Sequence, residues 1–144
     1  MKHAHTKIWL HLIWTPKNRE HIFTKEMGKI IYQLLLDKSK EINVQIENLN
    51  IQPDHIHTLI DLPTDICLSD YMQKIKGASS RYINKNGIFR THFSWQRGYG
   101  GYSVSSSQLE IVKNYIKNQT EHHRKITFEE EYNQWKKEYG IIID

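Results

Sequence analysis

The sequence predicts an α+β domain, and three observations carry that prediction. Residues Thr6 to Thr15 and His55 to Leu62 are apolar stretches with strand-like alternation. Segments with helical spacing of apolar residues lie between and after them. The segments follow one another as strand, helix, strand, strand, helix, strand, and then further helices. At 144 residues the chain is expected to form a single domain, residues 1–144, long enough to build its own core.

Each element has a local reason. In the first strand Ile8, Leu10, Leu12 and Trp14 take one face, and Trp9, His11 and Ile13 the other. Both faces are largely apolar, which predicts a central strand. Pro16-Lys17-Asn18-Arg19 ends it in a basic loop. Thr24 caps a helix whose apolar positions are Met27, Ile30, Ile31, Leu34 and Leu35. Val44, Ile46, Asn48 and, after a shift, Ile51 mark a second strand. Pro53-Asp54 turns the chain into an antiparallel strand, His55 to Leu62, closed by Pro63. Ser69 opens a second helix carrying Tyr71, Met72, Ile75 and Tyr82, loosened at Gly77 and ended by Asn86-Gly87. Phe89 to Trp95 is aromatic and irregular, and Gly98 to Val104 reads as a short strand or a glycine-rich hinge. Ser107 and Glu110 form a capping box for a third helix, about 107–125, and a last helix is expected from Phe128 to Tyr139. The order matches the ferredoxin-like βαββαβ arrangement: an antiparallel sheet with helices on one face, plus C-terminal helices.

Composition narrows the functional classes. Hydrophobic residues make up 38% of the chain and mean hydropathy is −0.67. No apolar run approaches the roughly 18–20 residues of a membrane span, and no membrane partner is expected. Met1 to His5 leads straight into the first alternation without a signal-peptide core. The lone Cys67 rules out an internal disulfide and fits a reducing cytosol, so a cytoplasmic location is expected. The net charge of +4 fits an ordinary surface as well as a nucleic-acid binder.

The chemistry gathers on two elements. Residues i and i+2 of a strand share a face, so the imidazoles of His55 and His57 stand ~6–7 Å apart along the chain. Two such rings can hold one divalent ion between them; a lone His-x-His pair equally fits structural histidines with satisfied hydrogen bonds. Ile56, Thr58 and Ile60 face the other way, toward the helix layer, which turns the histidines to the opposite side of the sheet. On the third helix Leu109, Val112 and Ile116 form an apolar stripe. Tyr115 and Gln119 are neighbours at its edge; His122 falls on that edge and His123 nearer the stripe. An isolated tyrosine there would ordinarily cover core. A phenol has a pKa near ~10 and attacks phosphorus poorly until it loses its proton. A divalent ion can polarise a phosphate, and Gln119 can offer it a neutral oxygen. A metal beside a tyrosine is the equipment for phosphoryl transfer through a covalent protein intermediate.

Basic residues offer a second surface. Lys74, Lys76, Ser79, Ser80 and Arg81 on the second helix present cations and hydroxyls suited to phosphates, or simply a solvated face. Lys17 and Arg19 extend that edge. Arg97 with Tyr99 and Tyr102 combines charge and stacking, as unpaired bases require. The acidic run Phe128-Glu129-Glu130-Glu131-Tyr132 is expected to avoid DNA and to pack on the domain through Phe128, Tyr132 and Trp135.

Three stretches carry a family resemblance: Pro53 to His57, Trp95 to Ser105, and Tyr115 to His123. Together they resemble the small single-tyrosine HUH transposases of bacterial insertion sequences and their repeat-associated relatives. Ile56 is the hydrophobic member between the two histidines. The resemblance implies that His55 and His57 bind Mg²⁺ or Mn²⁺ and that Gln119 completes the shell. It implies that Tyr115 attacks single-stranded DNA at hairpin-bearing element ends, becoming linked to a 5′ phosphate and freeing a 3′ hydroxyl. It further implies a homodimer in which one subunit's tyrosine helix can complete the partner's histidine pair. The family pattern does not settle a role for His122 or His123, and neither is placed in the shell.

Two other classes compete. A non-catalytic or domesticated nucleic-acid-binding protein acting on repeat hairpins would use the same sheet but leave the histidine pair and the Tyr115/Gln119 spacing unexplained. A metal-dependent hydrolase acting through water would need the histidines but not Tyr115.

Overall fold

The structure is a computed structural model that describes residues 4–119 and 127–138, with side chains described as far as Gln134. Four strands, β1 (Trp9–Trp14), β2 (Ile46–Gln52), β3 (His55–Asp61) and β4 (Gly100–Val104), form one sheet in the order β2-β3-β1-β4. All three pairings are antiparallel. Helix α1 (Lys25–Glu41) joins β1 to β2, and α2 (Leu68–Lys85) joins β3 to β4. Among the described residues two further helices follow, α3 (Leu109–Lys117) and α4 (Phe128–Glu138). The strand-helix succession is the expected one.

Alternation on the central strands divides the core. Leu12 and Trp14 of β1 join Ile56 and Ile60 of β3 under Ile31, Leu34 and Leu35 of α1 and Tyr71, Met72, Ile75 and Ile83 of α2. The other face of the same strands meets α3 and α4: Leu59 packs with Ile116, and Ile13 with Tyr102 and Phe128. Thr24 caps α1 as expected, its Oγ1 accepting from the Met27 amide at 3.2 Å. Ile30 does not join the buried stripe and stays 43% exposed. It lies about 100° round the helix from Ile31, which faces the sheet.

The shift in the β2 pattern has a structural cause. Ile46 opposes Ile60 while Asn48 opposes Leu59, so Glu47 is an extra residue in the ladder. This β-bulge moves the inward face from Ile46 to Leu49 and Ile51. Glu47 itself points to Lys113 of α3, 3.1 Å away.

Three local expectations need correction. The glycine segment is not a free hinge: Gly100 and Gly101 are strand residues paired with Ile13 and Leu12. A Cβ on Gly101 would meet methyls of Leu12 and Leu68 at 3.4 and 3.5 Å, ordinary packing contacts. The preceding loop is pinned by Lys76, whose Nζ donates to the carbonyls of Gln96 and Gly98 at 2.7 and 2.8 Å. Secondly, Ser107 does not cap α3. It lies in a 3-10 turn, Ser106–Gln108, with its hydroxyl 3.0 Å from that of Ser105, and the helix begins at Leu109. Thirdly, α2 opens at Leu68 rather than Ser69 and runs through Gly77 without a break.

Candidate active site

The site lies where β1, β3, α3 and α4 meet. Gln52 pairs with His55, so Pro53-Asp54 is a two-residue hairpin turn that starts β3 at the first histidine. His55 and His57 share one face of β3, with ring centroids 5.0 Å apart and planes at 80°. Both are buried, at 1% and 0% exposure. Ile56 and Ile60 point into the helix layer opposite.

Tyr115 comes down onto this pair from α3. The stripe that fixes the helix's roll is Leu109, Val112 and Ile116, packed against Leu59, Val104 and Trp9. The tyrosine ring stands edge-on to His57, 5.7 Å between centroids at 89°. The phenol and the histidine pair therefore meet on one side of the sheet within a single chain. Gln119, one turn further along, is fully buried. Its Nε2 donates to the Tyr115 carbonyl at 3.2 Å. Among the described residues its Oε1 accepts no hydrogen bond. The helix expected to reach about residue 125 ends at Lys117, with Asn118 as its C-cap; His122 and His123 lie outside the described residues.

Two functional residues were not anticipated. Glu131 of α4 is 1% exposed, and the Tyr115 hydroxyl donates to its Oε2. Its Oε1 lies 3.4 Å from His57 Nε2. One ligand atom from each of His55, His57 and Glu131 falls within 4.8 Å of the others. The acidic run was expected to pack on the domain through its aromatic residues, and Glu131 shares one side of the helix with Phe128 and Tyr132. Phe128 packs on the His55 ring at 4.1 Å, and this carries Glu131 inward while Glu129 and Glu130 stay exposed. The helical spacing of one glutamate with two aromatics was the available clue. Trp135, the third expected anchor, has no described side chain.

The second is His11, on the apolar central strand. Its Nε2 is 2.9 Å from His57 Nδ1, and the rings stack at 5.1 Å. Burial, then the neighbouring His57, holds its pKa well below the ordinary histidine value, against an opposing pull from Glu131. On the other side, Asp54 Oδ1 sits 2.7 Å from His55 Nδ1. Burial alone would raise the Asp54 carboxyl, but its hydrogen bond with His55 and the charges of His55 and His21 hold it below the usual range.

The donor set suits a divalent ion. Two imidazoles and a carboxylate, with one ligand atom of each converging, are a ligand set that can hold a divalent metal ion. Burying this many polar groups is costly unless each is paired.

The expected DNA-contact residues divide. Lys17, Lys74, Arg81 and Arg97 are exposed. Arg97 and Tyr99 line a cavity of about 370 Å³ with Arg19, Gly100, Phe128 and Tyr132. Ser79 is a correction: it is fully buried, donates to the Ile75 carbonyl at 2.6 Å and accepts from the Trp95 indole at 2.9 Å. It therefore has no access to a phosphate. Lys76 is committed to the loop carbonyls, and burial lowers its pKa. The Arg19 guanidinium lies over the rings of Phe128 and Tyr132, 5.6 and 5.5 Å from their centroids, so it clasps α4. Tyr102 is buried beside His11, which leaves Tyr99, 40% exposed, as the available stacking ring.

The four-stranded antiparallel sheet, with a histidine pair on β3 and the Tyr115 helix over it, makes this an α+β protein with a candidate catalytic centre on a single sheet face. Residues 4–119 match the family described as "Transposase IS200 like". The chain is 30% identical over 126 residues to the transposase for insertion sequence element IS200 of Salmonella typhimurium, with 82% of each chain covered. It is 24% identical over 115 residues to the ISDra2 transposase TnpA of Deinococcus radiodurans, covering 76% of this chain and 81% of that one. Two solved structures share the fold. A Deinococcus radiodurans R1 protein described as a transposase superposes with a TM-score of 0.68 at 23% identity, covering 83% of this chain and 95% of its own. A REP-associated tyrosine transposase bound to a REP hairpin gives 0.61 at 15% identity, with 85% and 74% covered. The chain belongs to the IS200-like transposase family. No helix among the described residues is long and apolar enough to cross a membrane.

Proposed function

We propose that the protein cleaves and rejoins single-stranded DNA at hairpin-bearing element ends through a 5′-phosphotyrosine intermediate, with Tyr115 as nucleophile. The observation that carries this reading is the hydrogen bond from the Tyr115 hydroxyl to buried Glu131, beside the histidine pair. A phenol with a carboxylate on its proton is poised for nucleophilic attack. Tyr115 Oη forms a bond to phosphorus as the bond from phosphorus to the 3′ oxygen breaks. Glu131 Oε2 takes the phenol proton, and the freed 3′ oxygen takes up a proton from water and leaves as a hydroxyl. Rejoining is the reverse: a 3′ hydroxyl attacks the phosphotyrosine, and Tyr115 recovers its proton.

His55, His57 and the Gln119 amide oxygen would hold Mg²⁺ or Mn²⁺, with Glu131 Oε1 as a further donor. The bound ion would polarise the scissile phosphate and offset the charge built up in the transition state. Phe128 covers the His55 ring, so its side chain moves aside for a phosphate to reach that histidine. Arg97 and Tyr99 beside the cavity supply charge and stacking for an unpaired strand. The hairpin bound by the REP-associated relative supports a hairpin substrate here. A homodimer remains part of this reading. Because Tyr115 stands over its own chain's histidines, exchange of helices between subunits is one arrangement of that dimer and not a requirement of the site.

The test is incubation of labelled hairpin-bearing single strands with the protein and Mg²⁺, followed by denaturing electrophoresis. A denaturation-resistant protein–DNA adduct is expected. Tyr115→Phe and His57→Ala should both lose it, and Tyr115→Phe should keep DNA binding. Cleavage by Tyr115→Phe would favour a water-using hydrolase instead, and binding without cleavage by the unaltered protein would favour a binding module.

A further inference from the structure

The loop that carries Arg97 is braced from two sides. From α2, Lys76 reaches across and donates to the carbonyls of Gln96 and Gly98 at 2.7 and 2.8 Å. Those carbonyls flank a single residue, Arg97. From β1 and the turn after it, the Thr15 carbonyl accepts from the Gln96 amide at 2.9 Å, and the Asn18 amide donates to Gln96 Oε1 at 2.8 Å. Asn18 and Arg19, at φ of 60° and 53°, hold left-handed backbone without being glycine. Such backbone persists only where its surroundings fix it, and the Gln96 side chain is one of those fixings. Gly98, at φ of 83°, then turns the chain toward Tyr99 and β4.

The residue so braced is the one that faces a ligand. Arg97 is exposed and lines the 370 Å³ cavity with Tyr99 and Phe128, the ring that also covers His55. A planar guanidinium matches a phosphate through paired N–H groups, whereas the Lys76 ammonium already spends two donors on backbone carbonyls. An anion that binds a guanidinium on an unbraced loop must order loop and side chain together; on a braced loop it orders the side chain alone. We infer that Lys76 is a positioning residue for DNA binding: its two bonds hold the backbone of Arg97 in place before DNA arrives, so that the guanidinium is presented in the cavity to a phosphate of the unpaired strand. The inference rests on the single-strand reading above. Lys76 acts through Arg97 and makes no phosphate contact of its own.

A double-mutant cycle read by DNA affinity tests it. Affinity for a labelled hairpin-bearing single strand is measured without metal, from about 50 to 200 mM salt. Lys76→Met keeps the apolar stem and loses the donors, and should weaken binding about 2–10-fold. Lys76→Arg, which restores donors for the carbonyls, should recover most of the lost affinity. In an Arg97→Ala background, Lys76→Met should cost less than about two-fold more and leave the salt slope unchanged. A lysine in direct contact with a phosphate gives the opposite: the two losses multiply, and the slope of log affinity against log salt falls by a further ~0.7. That result would overturn the inference and leave the DNA reading intact. Unaltered affinity in folded Lys76→Met would overturn it as well, because the brace would then be structural only. If the unaltered protein binds no single strand, the DNA reading fails and takes the inference with it. Hydrogen exchange on the free protein adds a check that needs no DNA. The Gln96 amide, bonded to the Thr15 carbonyl, should exchange faster in Lys76→Met, with α1 unaffected. Unchanged exchange there would show that the lysine does not hold the segment. Lys76→Gln, shorter and neutral, takes the place of Lys76→Met if that variant fails to fold.

Discussion

The two faces of the sheet do different work with the same strands. Under α1 and α2, Leu12, Trp14, Ile56 and Ile60 bury apolar side chains among apolar neighbours. One residue along each strand, Ile13 and His11 on β1 and His55 and His57 on β3 turn to α3 and α4, and burial there is spent largely on polar atoms. The first face gains stability from every side chain it covers. The second holds a hydroxyl, a carboxylate and three imidazoles out of water, held in place by their bonds to one another. A site of this kind costs stability that the opposite face supplies. The division explains why the central strands are apolar on both sides yet carry histidines at three positions of one side only.

Substitutions on the two faces should therefore separate activity from stability. The largest effect is expected at Tyr115. Tyr115→Phe should reduce adduct formation by on the order of 10⁴-fold or more. Its thermal midpoint should move little, because the hydrogen bond it loses contributes only about 1–2 kcal/mol. Leu35→Ala, on the apolar face and fully buried, should do the reverse. Denaturant unfolding should show a loss of about 2–5 kcal/mol, with adduct formation per folded molecule unchanged. If Leu35→Ala impaired the chemistry at temperatures where it remains folded, the two faces would not be separable.

Metal should strengthen the polar face alone. Mn²⁺ at about 100 times its dissociation constant should add roughly 2.7 kcal/mol, seen as a rise of several degrees in the melting midpoint. The rise should vanish in His57→Ala and persist in Leu35→Ala, whatever their starting midpoints. The smallest effect is expected at the clasp on α4. Arg19→Ala removes a guanidinium lying over Phe128 and Tyr132 and should cost about 0.5–1 kcal/mol. Hydrogen exchange should accelerate in α4 amides and leave α1 untouched. Uniform acceleration would mean that Arg19 supports the whole fold and not this helix.

What could be read from the amino-acid order follows the same division. The apolar face was legible because alternation and helical spacing report burial directly: Leu12 with Trp14, Ile56 with Ile60, and Ile31 with Leu34 all fell where periodicity put them. Even the irregularity in β2 left a trace, since the bulge at Glu47 is the shift between Ile46 and Ile51. Of the polar face, the spacing of His55 and His57 was readable because both lie on β3, and that of Tyr115 because it lies on α3; Gln119 falls one turn past Tyr115, beyond the end of α3. His11 escaped because nothing local separates a histidine on a strand from one that meets another histidine across the ladder. Glu131 escaped because charge was weighed over a run, although only one of the three glutamates shares the side of α4 that carries Phe128 and Tyr132. Ser79 was misjudged for the converse reason. A hydroxyl beside lysines suggests phosphate, but its position on α2 turns it to Ile75 and Trp95. Long-range partners decide such cases, and they are set by the fold rather than by neighbours in sequence.

The account stands or falls on where the covalent bond forms. Protein incubated with a hairpin-bearing single strand and Mg²⁺ should be digested with nuclease and protease and the peptides weighed by mass spectrometry. A nucleotide remnant joined through phosphate to the tyrosine of the Asn114-Tyr115-Ile116 peptide is the predicted result. A remnant on any other residue, or cleaved DNA bearing a free 5′ phosphate with no modified peptide, would contradict it.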